Sequence, residues 1–501
     1  MLETVVQAIN NVIWSPFLVF LCLGSGAFFS LYLKFPQFRH FKKALKLAVD
    51  RGKSNEGISP FQAFCTSVGA RVGMGNLAGV ATAIYFGGPG AVFWMWLIAL
   101  LGSAAAFAES ELAQAYKIRL GEKGEYAGGP FYFIEKGLKM KWLAVAFALA
   151  TVLGPGVTMC GLHTNSIASV MDNAFGTPWL VSGALFTICL GIVVCGGIKR
   201  IGSISEPMSI AMCIIYLILT IGVAVLNASA LPGVFALIFK SAFGLEPVFA
   251  GIMGSTLNWG IKRGVYSNEA GQGSGAIMCA PTETSHPAKQ GLVQVLSIFV
   301  DTLVICSASA VIILCSGFYN VQGADGSLIV SQAGDTPYGI LYVQEGLNSV
   351  FPGNWSGMVL AIATVLFVFT GMMGYYYQAE SGMNYLFKGK RGAVWAIRAI
   401  FLTSIFSGIG TLISTTASIY EGTLFIDNLI VFLSEKRTIV PLLAAPAPVK
   451  RHTGHTIRIV FADVSAVQGD VSLRWVVQAR EQLDERGLAR AVQSDQQRPF
   501  T

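Results

Sequence analysis

Long apolar runs joined by short polar connections make up most of the sequence. A helix that crosses a lipid bilayer needs about 20 mainly apolar residues. Such runs lie at residues 14–34, 60–86, 90–116, 141–171, 178–198, 203–226, 248–280, 287–317, 355–386, 392–414 and 416–434. The pattern predicts an all-α polytopic membrane protein with eleven transmembrane helices. The shorter run at 232–245 predicts a helix at the outer surface or, equally, an ordered loop.

Composition supports a membrane class and argues against several others. Of the 501 residues, 53% are hydrophobic and 12% are charged, and the mean hydropathy is +0.61. The start of the chain, MLETVVQAINN, lacks the basic segment of a secretory signal, so we expect the first apolar run to be retained. The nine cysteines show no CxxC spacing, which predicts neither a disulfide framework nor a metal site. Neither HExxH nor GxSxG occurs, so no enzyme is predicted.

The distribution of basic residues predicts the orientation. Lys and Arg concentrate in the connections at 34–53, 117–141, 199–200 and 388–391, whereas 318–354 contains neither residue. Because Lys and Arg accumulate in cytoplasmic loops, the N-terminus is expected outside and the C-terminus in the cytoplasm. The net charge of +7 is spread over these connections, so it does not predict a nucleic-acid surface. We expect a multi-pass protein of a bacterial inner membrane.

Two of the apolar runs are interrupted by polar residues. The run at 60–86 contains GARVGMGN, and the run at 248–280 contains KRGVYSNEAGQGSG. Backbone that leaves the helix at membrane depth survives only where it faces protein or a water-filled cavity. Paired interruptions of this kind are typical of transporter binding sites near the midplane. Close helix packing is the alternative explanation, and it suits single glycines better than these clusters.

The positions of the two breaks predict an internal repeat. They lie in the second and the seventh predicted helix, so that two sets of five helices occupy about 60–226 and 248–434. An odd number of helices in each set gives the two sets opposite orientations. We therefore expect a transporter domain at 1–434 and a cytoplasmic tail at 435–501, partly helical at 475–492 and otherwise disordered.

The breaks also predict a binding chemistry. The amide groups freed at the start of a half-helix can hold a carboxylate, and freed carbonyls can ligate a sodium ion. Glycines at 73, 75, 271 and 273 would let the backbone approach a small ligand closely.

Several motifs, in this order and spacing, resemble the alanine or glycine:cation symporter family (sodium:alanine symporters) over about residues 10 to 400. They are GARVGMGNLAGVATAI, GGPGAVFWMW, FAESELAQAY, GGPFYFI, SNEAGQGSG, HPAKQGLVQ and DTLVICSASA. The resemblance implies a leucine-transporter-type five-plus-five inverted repeat with one extra N-terminal helix. It also implies sodium-coupled uptake of alanine or glycine, with sodium as the coupling ion and no other cofactor. The oligomeric state is not implied.

The resemblance further implies which residues form the site. The substrate-binding positions would be Gly73, Gly75, Asn76, His163, Asn165, Asn268, Gly371 and Tyr375. The cation-binding positions would be Ala70, Val72, Gly73 and Thr370. Two of these positions depart from the family pattern, because relatives often carry a tryptophan at Tyr375 and a glutamine at His163. An imidazole can replace the hydrogen bonds of the glutamine or add a response to pH.

Charged residues inside the predicted helices need partners. We expect Arg71 and Glu269, which occupy the two breaks, to form an ion pair or a shared hydrogen-bond network that acts in gating. The alternative pairs Arg71 with Glu109 and lets Glu269 bond to free amides at its own break. A proton-coupled symporter working through His163 or Glu269 is the second functional hypothesis, and a membrane sensor or channel is the third.

Overall fold

The computed structural model describes residues 16–51, 57–120, 125–408, 447–450 and 456–459. Its internal contacts divide the chain into a unit at Met1–Glu435 and a unit at Lys436–Thr501.

The described part of the first unit is almost entirely helical. Its α-helices are α1 Pro16–Tyr32, α2 Pro36–Arg39, α3 Phe41–Ala48, α4 Pro60–Arg71, α5 Val80–Gly87, α6 Ala91–Tyr116, α7 Pro130–Gly137, α8 Lys141–Leu153, α9 Met159–Phe175, α10 Trp179–Val194, α11 Gly197–Leu226, α12 Leu231–Ala242, α13 Pro247–Ala250, α14 Met253–Asn268, α15 Ser274–Cys279, α16 Pro287–Ile298, α17 Ser307–Ser316, α18 Ile340–Val350, α19 Trp355–Phe387 and α20 Arg391–Gly408. Wider π-helical turns at Gly75–Gly79, Gly154–Thr158 and Phe299–Cys306 lead into α5, α9 and α17. Two short antiparallel pairs join β1 Ile118–Leu120 to β2 Glu125–Ala127 and β3 Asn320–Gln322 to β4 Leu328–Ser331.

Ten of the eleven predicted apolar segments coincide with helices in the described part, and the eleventh, 416–434, lies outside the described residues. Six helical segments among the described residues are both long enough and apolar enough to cross a bilayer. They are Ala91–Tyr116, Lys141–Phe175, Gly197–Leu226, Leu231–Ala250, Pro287–Ser316 and Trp355–Phe387. The protein is therefore a multi-pass membrane protein with an all-helical core.

Apolar side chains cover the outer faces of helices α10 and α11. Leu185, Ile188 and Ile192 of α10 are 57–64% exposed, and Ile218 and Val225 of α11 are 64% and 68% exposed. The spacing of three, four and seven residues places each group on one face of its helix. Such faces would be unfavourable in water and suit contact with lipid tails.

The segment predicted to be a surface helix or a loop forms helix α12. With 12 residues, at ~1.5 Å per residue, α12 is too short to cross a bilayer by itself. The continuous segment Leu231–Ala250 meets the length and apolarity for a crossing, but turns separate α12 from α13. Phe239 of α12 packs against Phe93, near the start of α6.

The second unit contains a strand pair that the sequence did not predict. Strand β5, Ala447–Lys450, pairs antiparallel with β6, Thr456–Ile459, with Ala447 opposite Ile459. The expectation of disorder outside 475–492 is therefore wrong for these residues, since the β-branched residues of TIRI suit an extended strand. The predicted helix at 475–492 lies outside the described residues.

Candidate functional site

The first helix break lies between α4 and α5. Helix α4 ends at Arg71, and Val72 has an extended backbone with φ −73° and ψ 97°. The freed amide of Gly73 donates to Oδ1 of Asn76 over 2.8 Å. The chain then re-enters a helix through the π-helical turn Gly75–Gly79. Asn76 thus satisfies backbone that the break leaves without a helical partner.

The second break lies between α14 and α15 and has a different backbone. Glu269, Gly271 and Gly273 all have positive φ, at 51°, 78° and 85°. Oδ1 of Asn268 accepts a hydrogen bond from the amide of Ala270 at 3.0 Å, and Asn268 is fully buried. The amide of Gly273 donates to Oε2 of Glu109, on α6, at 2.9 Å.

The two breaks contact each other directly. A β-carbon on Gly75 would lie 2.9 Å from the Cα of Ser267, in the last turn of α14. Only a residue without a side chain permits this approach. The sequence places these breaks almost two hundred residues apart, and the fold brings them together at one point.

Four predicted residues converge beside this contact. Nε2 of His163 lies 3.3 Å from the position that a β-carbon of Gly73 would take. The ring of His163 meets the ring of Tyr375 edge to face at 5.3 Å, and the Tyr375 hydroxyl donates to Oε1 of Glu269 at 3.0 Å. Helix α9 therefore contacts the first break through His163, and helix α19 contacts the second break through Tyr375. Met74 is buried within the protein, so it does not face lipid.

The structure does not bring Asn165 to this place. Asn165 is only half-buried, and no hydrogen bond joins its side chain to either break within the described ranges. Residues two apart on an α-helix point about 200° apart, so Asn165 of α9 points away from the direction that His163 takes.

The residues proposed for the cation lie at the end of α4, at the start of the first break and on the facing helix α19. A β-carbon on Gly371 would lie 3.8 Å from the carbonyl oxygen of Gly69 and 3.9 Å from that of Ala70. Thr370 packs against Gly69, while its hydroxyl donates to the carbonyl of Phe367 in its own helix at 3.0 Å. Val72 is fully buried. Thr370, Gly371 and the end of α4 are thus neighbours, and the Thr370 hydroxyl is engaged within α19.

Comparison with known sequences agrees with this architecture. Residues 1–445 match the sequence model of the sodium:alanine symporter family. The chain belongs to this family. The match extends beyond residue 400, where the resemblance seen in the sequence motifs ends.

Three relatives in this family are similar over most of their length. A protein of Bacillus subtilis (strain 168), whose name describes a sodium/proton-dependent alanine carrier, is 47% identical over 80% of this chain and 83% of its own. A sodium/proton-dependent alanine carrier protein of Bacillus sp. (strain PS3) is 43% identical over 72% of this chain and 81% of its own. A second Bacillus subtilis protein, named for sodium/glutamine symport, is 39% identical over 87% and 89%.

The charges at the breaks of this symporter-family chain pair differently from the expectation. Nη1 of Arg71 donates to Oε1 of Gln294 at 2.7 Å and to the hydroxyl of Ser297, both on α16. No ion pair joins Arg71 to Glu269 or to Glu109 within the part of the chain that the structure describes. The reason is geometric, since Glu269 is bonded to α19 and Glu109 to the amide of Gly273. Arg71, Glu109 and Glu269 form a buried cluster at the two breaks, without an ion pair between them among the described residues.

Two carboxylates outside this cluster have their own partners. Oε1 of Glu380 lies 3.7 Å from Nη2 of Arg398, and both side chains are only 13% exposed. Glu380 is therefore largely shielded from solvent and has its counter-ion on α20. Oε1 of Glu206 lies 3.8 Å from Nη2 of Arg51.

Sequence reasoning did not assign Asp301 to the site of this symporter-family protein. Its Oδ1 accepts from Nδ2 of Asn76 at 2.7 Å, and its Oδ2 accepts from the hydroxyl of Ser267 at 3.0 Å. A single carboxylate therefore touches both breaks. The signal in the sequence was an acidic residue inside the apolar run 287–317, but a run by itself does not say which helices it faces.

Proposed function

We propose that this protein couples the entry of sodium into the cell to the uptake of a small neutral amino acid, alanine or glycine. The observation that carries the proposal is the contact between the two broken helices at Gly75 and Ser267, beside the freed amide of Gly73. Family membership and the alanine carriers among the relatives support the substrate class. One relative is named for glutamine, which has a larger side chain than alanine or glycine. The size of the substrate side chain that the site accepts is therefore the main question of specificity.

For the architecture, we propose eleven crossings built as two inverted sets of five helices after one extra helix. The support is the coincidence of ten predicted segments with helices and the place of the breaks in the second and seventh. The basic connections favour an outside N-terminus and a cytoplasmic C-terminus in a bacterial inner membrane.

For the site, the substrate carboxylate would bind amides of the first break near Gly75. The ammonium group would bind freed carbonyls of the second break near Asn268. Sodium would bind carbonyls at Ala70 to Gly73 with the Thr370 hydroxyl, after that hydroxyl turns away from its own helix. An ion at this place would brace the first break against α19, so that sodium and substrate raise each other's affinity.

Uptake of labelled alanine and glycine into proteoliposomes tests the proposal. A sodium gradient is compared with an equal choline gradient at constant pH, and accumulation is expected with sodium alone. Asn76→Ala and Thr370→Ala should each reduce uptake at least tenfold. Ser349→Ala is a matched control, since its hydroxyl bonds within its own helix to Gly346. Equal accumulation in choline would refute sodium coupling.

Proton coupling is the second candidate, because two relatives are named sodium/proton-dependent carriers. It predicts alanine accumulation driven by an inward proton gradient without sodium. Absence of that uptake, while the sodium gradient remains effective, would exclude it.

A further inference from the structure

The connection between α1 and α4 carries a dense group of cations. Residues 33–49 contain no Asp or Glu, and they hold five Lys or Arg side chains, those of Lys34, Arg39, Lys42, Lys43 and Lys46. Among the described residues, no ion pair joins the three lysines of α3 to a carboxylate. A cluster of about four to eight basic residues directly beside a transmembrane helix is typical of segments that bind anionic lipid headgroups. Whether lipid can reach these cations depends on where the segment lies.

A sharp turn fixes this segment at the end of α1. Directly after the helix, Lys34 and Phe35 both have a left-handed backbone, with φ values of 56° and 55°. The amide of Phe35 donates back to the carbonyl of Ser30 in α1 at 2.6 Å. Gln37 is buried, and its amide group donates to the hydroxyl of Ser30 at 2.9 Å and to the carbonyl of Leu100 on α6 at 3.3 Å. Because α1 belongs to the first predicted crossing, α2 and α3 lie at the surface of the bilayer.

Helix α3 has the faces of a helix that lies in such a surface. Its two alanines are buried. Phe41, Leu45 and Val49, four residues apart, are 38%, 44% and 66% exposed and form one apolar stripe. Lys42 and Lys46 are exposed and follow this stripe along the helix surface. An apolar stripe bordered by lysines is typical of interfacial helices, whose apolar side chains enter the acyl region while the ammonium groups stay among the headgroups.

Lys289 adds a cation from a distant part of the chain. It lies at the start of α16, against which α3 packs. Partial burial and the charge of Lys289 lower the pKa of Lys43. Partial burial, Lys43 and Arg39 lower the pKa of His40. Like charges at this distance repel one another, and a phosphate group among them would remove the repulsion. An anionic phospholipid offers both a phosphate for these cations and acyl chains for the apolar stripe.

The same helix contacts the helix that carries Asp301. The ring of Phe41 lies 5.9 Å from the ring of Phe299, which is the first residue of the π-helical segment Phe299–Cys306. Two residues further on, Asp301 accepts hydrogen bonds from Asn76 and Ser267, one at each broken helix. A shift of α3 at the bilayer surface therefore reaches the place where the two breaks meet.

We propose that α2, α3 and Lys289 form a binding surface for an anionic phospholipid, and that the bound lipid accelerates uptake by holding Phe41 against Phe299. The lipid phosphate lies among the lysines of α3 and Lys289, and the acyl chains lie along the apolar stripe. In the proposed orientation this surface faces the cytoplasmic leaflet. Lipid binding does not depend on the transported substrate, whereas the acceleration rests on the proposed sodium symport.

Native mass spectrometry of the full chain in detergent tests the binding, with phosphatidylglycerol and the neutral phosphatidylcholine as probes. We expect the unchanged protein to retain phosphatidylglycerol in preference to phosphatidylcholine. A variant that combines Lys42→Gln, Lys43→Gln and Lys46→Gln should retain at least tenfold less phosphatidylglycerol, because three cations near the headgroup are lost.

The matched control removes three cations from another basic connection. It combines Lys388→Gln, Lys390→Gln and Arg391→Gln, between α19 and α20. The net charge changes by the same amount as in the triple variant of α3. The control should therefore retain phosphatidylglycerol like the unchanged protein, and equal losses in the two variants would show that net charge, rather than this surface, binds the lipid.

Sodium-driven alanine uptake tests the acceleration. Vesicles of phosphatidylcholine alone are compared with vesicles that contain about 30% phosphatidylglycerol, under the same sodium gradient. Uptake by the unchanged protein and by the control should be at least threefold faster with phosphatidylglycerol, and the triple variant of α3 should show no gain. Phe41→Ala keeps every cation, so it should bind the lipid but lose most of the gain. The melting temperature shows that each variant is folded.

The two assays separate the possible failures. Equal retention of the two lipids by the unchanged protein would overturn the lipid surface, and salt-sensitive dimers that the triple variant loses would then assign the surface to a second copy of the chain. A full gain in Phe41→Ala would overturn the route through Phe299. Sodium-independent uptake by the unchanged protein would contradict the proposed function, while the retention of lipid in detergent would still decide the binding surface.

Discussion

The two helix breaks use glycine for different physical reasons. In the first break neither Gly73 nor Gly75 has a positive φ. Gly75 is required for space, because a β-carbon at this position would lie 2.9 Å from the Cα of Ser267. In the second break Gly271 and Gly273 have φ values of 78° and 85°, which side chains disfavour. The first break is thus limited by packing, and the second by backbone conformation.

The breaks also differ in which residue accepts the hydrogen bond of a backbone amide that the break frees. In the first break the acceptor belongs to the break itself, since Oδ1 of Asn76 accepts from the amide of Gly73. The second depends on another helix, because the amide of Gly273 is bonded to Glu109 of α6. We therefore expect substitutions in α6 at Glu109 to destabilise the second break. Substitutions at the first break should disturb only the break itself.

The largest effect is expected for Gly75→Ala. Its methyl group would overlap with the backbone of α14, and overpacking of this kind costs about 1–3 kcal/mol. A shift of the breaks by a fraction of an ångström should abolish uptake of alanine in proteoliposomes. Gly79→Ala is the control, because its β-carbon would lie at an ordinary 3.7 Å from the nearest atom, the carbonyl oxygen of Met74. Full activity of Gly75→Ala would show that the first break is not limited by packing.

Removal of the carboxylate in Glu109→Ala should have the next largest effect. It leaves the buried amide of Gly273 without its acceptor, at a cost of about 1–3 kcal/mol, and removes negative charge near Arg71. The melting temperature in detergent should fall clearly. Glu109→Gln retains an acceptor oxygen and should lose less. Equal losses in the two variants would mean that charge, and not the hydrogen bond, holds the second break.

A smaller effect is expected for Gly271→Ala, which tests the backbone conformation at φ 78°. A side chain at a left-handed φ costs about 1–2 kcal/mol. The melting temperature should drop while Gly79→Ala, in the first break, leaves it unchanged. A neutral Gly271→Ala would contradict the assignment of a conformational limit to the second break.

The smallest effect is expected for Tyr375→Phe. The change removes one hydroxyl that donates to Glu269, a net contribution of about 1 kcal/mol. Because Tyr375 lies against His163, we expect the KM for alanine to rise less than about tenfold with little change in the maximal rate. An unchanged KM would place this contact outside the substrate path.

Part of the site could be read from residue type and order. The polar interruptions at Arg71 and Asn268 stand out against apolar surroundings, and lipid excludes free backbone, so the sequence predicts where both helices break. The pairings could not be predicted, since Glu109 lies inside another helix, α6, and only helix packing brings it to the amide of Gly273 in the second break. An ion pair or a shared hydrogen-bond network between Arg71 and Glu269 was expected because both residues occupy a break, and no ion pair joins them among the described residues.

The sequence by itself determined the class of the protein, the positions of its helices and the two points at which helices are interrupted, because bilayer thickness and backbone hydrogen bonding act on each segment separately. Only the tertiary structure decided which side chains share a site. Asn76 and Asp301 meet although 225 residues separate them along the chain, and a contact over that distance depends on how the helices pack against each other.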